Sequence, residues 1–235
     1  MAHPSSLSAQ DKQKNIHEEL LWDNRIDASG IAVEVHGTTV RLTGTVPTYA
    51  DRRHAENDIR FTPGITAIDN RLTVDHPGYI GTPSDQDIED AIHSLFTLNT
   101  AIHTSEISLR VEGGLVTLEG TVESLWQKMK IEDLVADISG VLGIHNELTV
   151  LPIEPLEDED IEYALVSAIV ARTHASEDLI DVSVRHGAVT LSGSVPDWRT
   201  HRAVVDIAVS TSGVRSVHDR LSAPQHPARR THEAP

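Results

Sequence analysis

The sequence predicts an α+β protein: three tandem αββαβ two-layer sandwiches, each with a three-stranded mixed sheet and two helices on one face. Three observations carry that prediction. The stretch Val40-Arg41-Leu42-Thr43-Gly44-Thr45-Val46 recurs as Val116–Val122 and again as Val189–Val195. The central glycines, Gly44, Gly120 and Gly193, are 76 and 73 residues apart, and each is followed after 20 residues by Gly64, Gly140 or Gly213. Six residues further on stand Asn70, Asn146 and Asp219, which open Asn70–Val74, Asn146–Val150 and Asp219–Ser222. Spacings kept across three copies mark one small module used repeatedly.

Each copy begins with a helix. Ile16 and Leu20 share one face near 10–22, and they align with Ile92 and Phe96 and with Leu165 and Ile169. Ser84 followed by Asp87 fits a helix start, and Ile88, Ile92, Leu95 and Phe96 then recur at helical spacing. Lys12 stands where the other copies have Ile88 and Ile161, so the first helix is expected to bury less. A strand follows in each copy, with Ile31, Val33 and Val35, Ile107, Leu109 and Val111, and Ile180, Val182 and Val184 alternating with polar residues. Turn residues at His36-Gly37, Glu112-Gly113-Gly114 and His186-Gly187 predict a hairpin.

The repeated glycine stretch is the second strand. Alternation puts Gly44, Gly120 and Gly193 on the apolar face, and a glycine there signals close approach of another backbone. The expectation is that a helix crosses over it. A second helix follows, clearest in Ile131, Leu134, Val135 and Ile138 and in Val204, Ile207 and Ala208. The first copy offers Ala55 and Ile59, with Asp58 intruding on the stripe. The crossover to a third strand makes that strand parallel to the second. The predicted organisation is a disordered lead at 1–9, modules at 10–75, 84–150 and 157–222, linkers at 76–83 and 151–156, and a disordered tail at 223–235. Modules of this size have marginal cores, so neighbour packing or a homo-oligomer is expected to add stability.

Net charge is −17, shared as −3, −9 and −5 among the three copies in order. A surface this acidic repels phosphates, which argues against nucleic-acid binding. The absence of cysteine excludes disulfides, thiol catalysis and zinc–thiolate sites. Met1 to Asp23 holds no apolar run of signal-peptide length, so a cytoplasmic location is expected.

The pattern strand, glycine turn, Val-Thr-Leu-x-Gly-x-Val, helix, Gly-Val, Asn-x-Leu-x-Val resembles the BON domain family over nearly all of 10–221. The third copy departs at Asp219 and Ala223, and the first at Lys12 and Asp58. The resemblance implies a non-catalytic binding module linked to envelope maintenance under osmotic stress, with phospholipid membranes proposed as a partner. It also implies a periplasmic location as the alternative to a cytoplasmic one, and it transfers no catalytic residues and no cofactor.

Candidate contact residues lie at the starts of the second helices. Tyr49, Trp126 and Trp198 fall five or six residues after the central glycines, beside Arg52, Arg53, Lys128, Lys130, Arg199 and Arg202. Such aromatics suit a lipid interface, a protein partner, or packing on their own module. The 14 histidines show no His-x-x-x-His pair with a carboxylate ligand, so they are read as surface residues and no metal is expected. Glu157-Asp158-Glu159-Asp160 is read as complementing a helix dipole. Ser192 and Ser194 align with Thr43, Glu119, Thr45 and Thr121, which fits the open side of a strand and not a nucleophile. The leading expectation is a non-enzymatic, stress- or envelope-related binding or scaffold protein, with a protein partner or a phospholipid surface as its contact. The alternatives are peripheral attachment to phospholipid and, more remotely, an enzyme with a pocket of convergent ionisable groups.

Overall fold

In a computed structural model of the chain, the structure describes residues 8–60, 62, 65–75, 83–99, 102, 104–153, 156–173 and 179–222. Arg60 and Trp198 are described for their backbone alone. The lead up to Leu7, most of the first linker, Gly64 and the tail from Ala223 lie outside the described residues.

The elements run α1 (Ala9–Trp22), β1 (Ile31–His36), β2 (Thr39–Val46), α2 (Tyr49–Arg60) and β3 (Ala67–Val74) in the first copy. The second has α3 (Asp85–Leu98), β4 (Ile107–Glu112), β5 (Leu115–Val122), α4 (Leu125–Ala136) and β6 (Gly143–Val150). The third has α5 (Asp158–Thr173), β7 (Ile180–Arg185), β8 (Ala188–Ser194), α6 (Trp198–Ser210) and β9 (Ser216–Ser222). Three three-stranded sheets result, with orders β1-β2-β3, β4-β5-β6 and β7-β8-β9. In the first and third copies the first two strands pair antiparallel and the last two parallel. This is the mixed topology that a hairpin followed by a helical crossover dictates.

The described chain packs as two compact units. One comprises the residues up to Thr104 with 108–119 and 131–147; the other comprises 105–107, 120–130 and the residues from Leu148. The boundary passes through the middle copy.

Periodicity decides the core. Ile16, Ile92 and Leu165 are fully buried at one helical position, and Leu20, Phe96 and Ile169 are buried one turn on. Capping boxes start α1 and α3, where Ser8 and Ser84 exchange hydrogen bonds with Asp11 and Asp87. The first helix is the least anchored: α1 buries two residues, whereas α3 and α5 bury three each, because Lys12 replaces Ile88 and Ile161. Burying such an isoleucine stabilises by about 1.5–3 kcal/mol.

The central glycines require a correction. Gly44, Gly120 and Gly193 share a positive φ of 113°, 125° and 119°, and Gly44 and Gly193 are exposed rather than buried. A Cβ on them would lie 2.0, 2.0 and 2.2 Å from the carbonyl oxygens of Gly30, Glu106 and Leu179. The close neighbour is therefore the chain entering the first strand, not a crossing helix. Hairpin register places it there, since Ile31 pairs with Gly44 and Ile180 with Gly193. The surroundings are equivalent in all three copies. The helix contact belongs to the second glycines instead. A Cβ on Gly140 or Gly213 would meet Ile88 Cδ1 or Ile161 Cδ1 at 2.8 Å.

A latch ties the first helix to the hairpin in the second and third copies. The Asp85 carboxylate accepts from the backbone N–H of Gly113 and Gly114 at 2.8 and 2.9 Å. Asp158 does the same with His186 and Gly187 at 2.7 and 2.9 Å. Those amide donors hold both carboxyls below their usual range. Asp158 thus grips a turn, which goes beyond complementing a helix dipole. The first copy has Ala9 at this position.

Candidate interaction surface

The second helices begin at a fixed distance from the central glycines because each start is capped. Thr48 Oγ1 accepts from Asp51 N at 3.0 Å, and the Asp51 carboxylate accepts from Thr48 N at 3.0 Å. Asp51 also accepts from Asp27 N at 3.1 Å, which ties the helix start to the approach to β1. Ser124 Oγ accepts from Gln127 N at 3.2 Å, and Asp197 accepts from Thr200 N at 2.8 Å. These caps set Tyr49, Leu125 and Trp198 at the same position, the first residue of α2, α4 and α6.

At that position Tyr49 and Leu125 each lie beside the next copy. Tyr49, half-buried, lines a cleft of about 540 Å³ together with Arg52 and Arg53 of the first copy and Leu115, Leu142 and His145 of the second. Arg53 bridges the same two copies, at 3.2 Å from Glu132 and 3.5 Å from Asp133 of α4. In the other unit, half-buried Leu125 packs against the core of the third copy. The described backbone places Trp198 at the equivalent site.

The remaining candidates divide by their partners. Lys128 donates to the carbonyl of Leu148 at 2.7 Å. Trp126 and Met129 are 40% and 44% exposed, and Lys130 beside them is exposed. Arg199 and Arg202 are exposed on α6. The structure therefore brings Tyr49, Arg52 and Arg53 together at one cleft, and Trp126 and Lys130 along α4.

Two polar sites were not anticipated. Arg25 pairs with Asp23 and lies 3.2 Å from Asp58 of α2. Burial, then the hydrogen bond and charge of Asp23, push the Asp58 carboxyl up to about 7. The Arg25 guanidinium holds the Asp23 carboxyl well below the usual carboxylate range. The intrusion of Asp58 on an apolar stripe was the available signal. The second site corrects the surface reading of the histidines. His201 is 4% exposed, and its Nε2 lies 2.9 Å from Asp219. In the first two copies the equivalent Asn70 and Asn146 amides donate to Glu56 and Glu132 at 3.2 and 2.8 Å. The third copy changes both partners: Asp219 replaces the asparagine and Val205 the glutamate, so an acid does not face an acid.

Three tandem modules of this topology define a repeat-built α+β protein. The BON domain model matches residues 8–76, 84–152 and 157–225. The chain belongs to the BON domain family. Osmotically-inducible protein Y of Escherichia coli (strain K12) is 24% identical over 135 residues, covering 55% of this chain and 66% of that protein, just under two thirds of its length. Among solved structures, CdsD, a structural protein of the Type III secretion system of Chlamydia trachomatis, is 14% identical. It covers 91% of this chain and 92% of its own at a TM-score of 0.26. The periplasmic domain of PrgH, the S. typhimurium T3SS inner membrane protein, is 14% identical and covers 82% and 94% at 0.22. No helix among the described residues is long and apolar enough to cross a membrane, and no group of three His, Asp or Glu among them is placed to hold a metal ion.

Proposed function

We propose that the protein is a non-catalytic scaffold that binds a protein partner during osmotic stress. The observation carrying this reading is the contact that second helices make with neighbouring copies: Arg53 of α2 pairs with Glu132 and Asp133 of α4, and Leu125 at the start of α4 packs on the core of the third copy. A module whose helix start serves as a docking point is suited to arranging surfaces, not to assembling convergent acids and bases. Kinship with an osmotically inducible protein supports the stress association. The test is affinity capture of the full chain from cells before and after osmotic upshift. Stress-dependent recovery of one stoichiometric partner, lost in a Tyr49→Ala or Trp198→Ala variant that keeps its fold, is expected; recovery unchanged in both variants refutes the assignment.

A second reading is supported by Trp126, Met129 and Lys130, which put exposed apolar bodies next to a cation on one helix. This combination suits the edge of a phospholipid surface. Co-sedimentation with anionic and zwitterionic vesicles, at low and physiological salt, tests it. Failure to pellet with either vesicle removes that reading. An envelope role further predicts recovery in the periplasmic fraction.

A further inference from the structure

We infer that the cleft between the first and second copies is a binding site for a small monoanionic carboxylate carrying an aliphatic body. This goes beyond the scaffold reading and does not rest on it.

The floor of the cleft is specific to the middle copy. Leu115 and Leu142 line it while remaining 58% and 42% exposed. The first copy has Thr39 and Thr66 at these positions, and the third has Ala188 and Arg215. Between them lies Gly143, where the other copies have Ala67 and Ser216. A Cβ on Gly143 would stand 2.8 Å from Leu115 Cδ2, so the glycine lets that leucine lie flat. Two exposed leucines and a trimmed glycine occur together only in the copy that faces Tyr49. An apolar floor left open to water is unfavourable unless something covers it.

The polar contribution identifies the charge of the occupant. Arg52 is half-buried at the cleft wall, and among the described residues no carboxylate pairs with its guanidinium. Arg53, next to it, is already paired with Glu132 and Asp133. Glu112 at the rim is paired with Arg110, and Glu56 accepts from Asn70. One cation is thus left to be matched. A guanidinium recognises a carboxylate through parallel N–H donors. A dianion would meet the carboxylates of Glu56 and Glu112, which line the same cleft. The volume lies in the range of small-molecule sites.

The probe is sodium octanoate, titrated calorimetrically into the full chain, with acetate, octylamine and octyl phosphate as comparisons. Saturable binding at one site is expected, with acetate and octylamine at least about tenfold weaker, or ~1.4 kcal/mol. Arg52→Gln and Leu142→Ser should each weaken octanoate by a similar factor while circular dichroism and melting stay unchanged. Leu142 is exposed and Arg52 is half-buried outside the core clusters, so neither change removes a core side chain. Tyr163→Ala, exposed on α5 and outside the cleft, should bind as the parent does. Three results would overturn the site: no saturable binding up to about 10 mM, undiminished binding in a folded Arg52→Gln variant, or acetate binding as tightly as octanoate. Octyl phosphate binding tighter than octanoate would overturn the carboxylate assignment.

Discussion

Gly44 and Gly37 form a matched pair for measuring what the central glycine does. Both have positive φ, 113° and 66°. A Cβ on Gly37 meets nothing within 4 Å, whereas one on Gly44 would lie 2.0 Å from the Gly30 carbonyl oxygen. Gly37→Ala therefore incurs backbone strain alone, about 1–2 kcal/mol. Gly44→Ala incurs that strain and must also push the chain entering β1 aside by roughly 1 Å, an overpacking term of about 1–3 kcal/mol. The summed loss of about 2–5 kcal/mol is, at its upper end, comparable to the whole stability of a small domain. Urea denaturation followed by circular dichroism, with amide exchange of the β1–β2 pair, reports both variants. Equal midpoints for Gly37→Ala and Gly44→Ala would refute the carbonyl contact as the reason for glycine.

Other outcomes follow from the same contacts. Asp58 has a folded-state pKa of about 7 against an ordinary value of 3.8. The unfolded chain therefore loses its proton first, and stability falls as pH rises between those values. Asp58→Asn should gain about 1–2 kcal/mol over the parent above pH 7, and the gap should close toward pH 4 in urea midpoints. The depressed Asp23 acts oppositely, contributing stability that is lost only as acid titrates it below 3.8. His201→Ala leaves the Asp219 carboxylate without its partner and should lose about 2–4 kcal/mol. Adding Asp219→Asn in that background should restore part of the loss, measured as a double-mutant cycle. Asp85→Ala should speed amide exchange at Gly113 and Gly114 by more than at any other turn, while the β5 amides keep their protection.

The repeated topology was legible because copies with fixed spacing report on each other. Buried partners such as Ile16, Ile92 and Leu165 could be aligned before any helix was seen. Gly44 was misread for a definite reason. Alternation along β2 groups it with Val40, Leu42 and Val46, but a positive φ turns it out of that alternation, and no sequence period encodes φ. Its true neighbour follows from hairpin register, a pairing between segments. The Asp85 latch was readable in principle, since aspartate opens the helix in two copies and alanine in one. His201 and Asp219 are far apart in sequence, and they stand out only when the Asp219 and Val205 replacements in the third copy are considered together. Tyr49 stood out in the sequence as an aromatic at a helix start, but the cleft it lines was not legible, since much of its wall comes from another copy.

The first helix carries a further implication. It lacks the aspartate latch at Ala9 and the isoleucine-on-glycine contact at Lys12, so Ile16 and Leu20 are its buried anchors. Sub-global opening begins where such anchors are fewest. On gentle heating, α1 should peel away before α3 or α5, baring Val33, Val35 and Leu42 while the rest of the array stays folded. A chaperone or protease patrolling for exposed apolar strands would meet this protein at its amino-terminal end first.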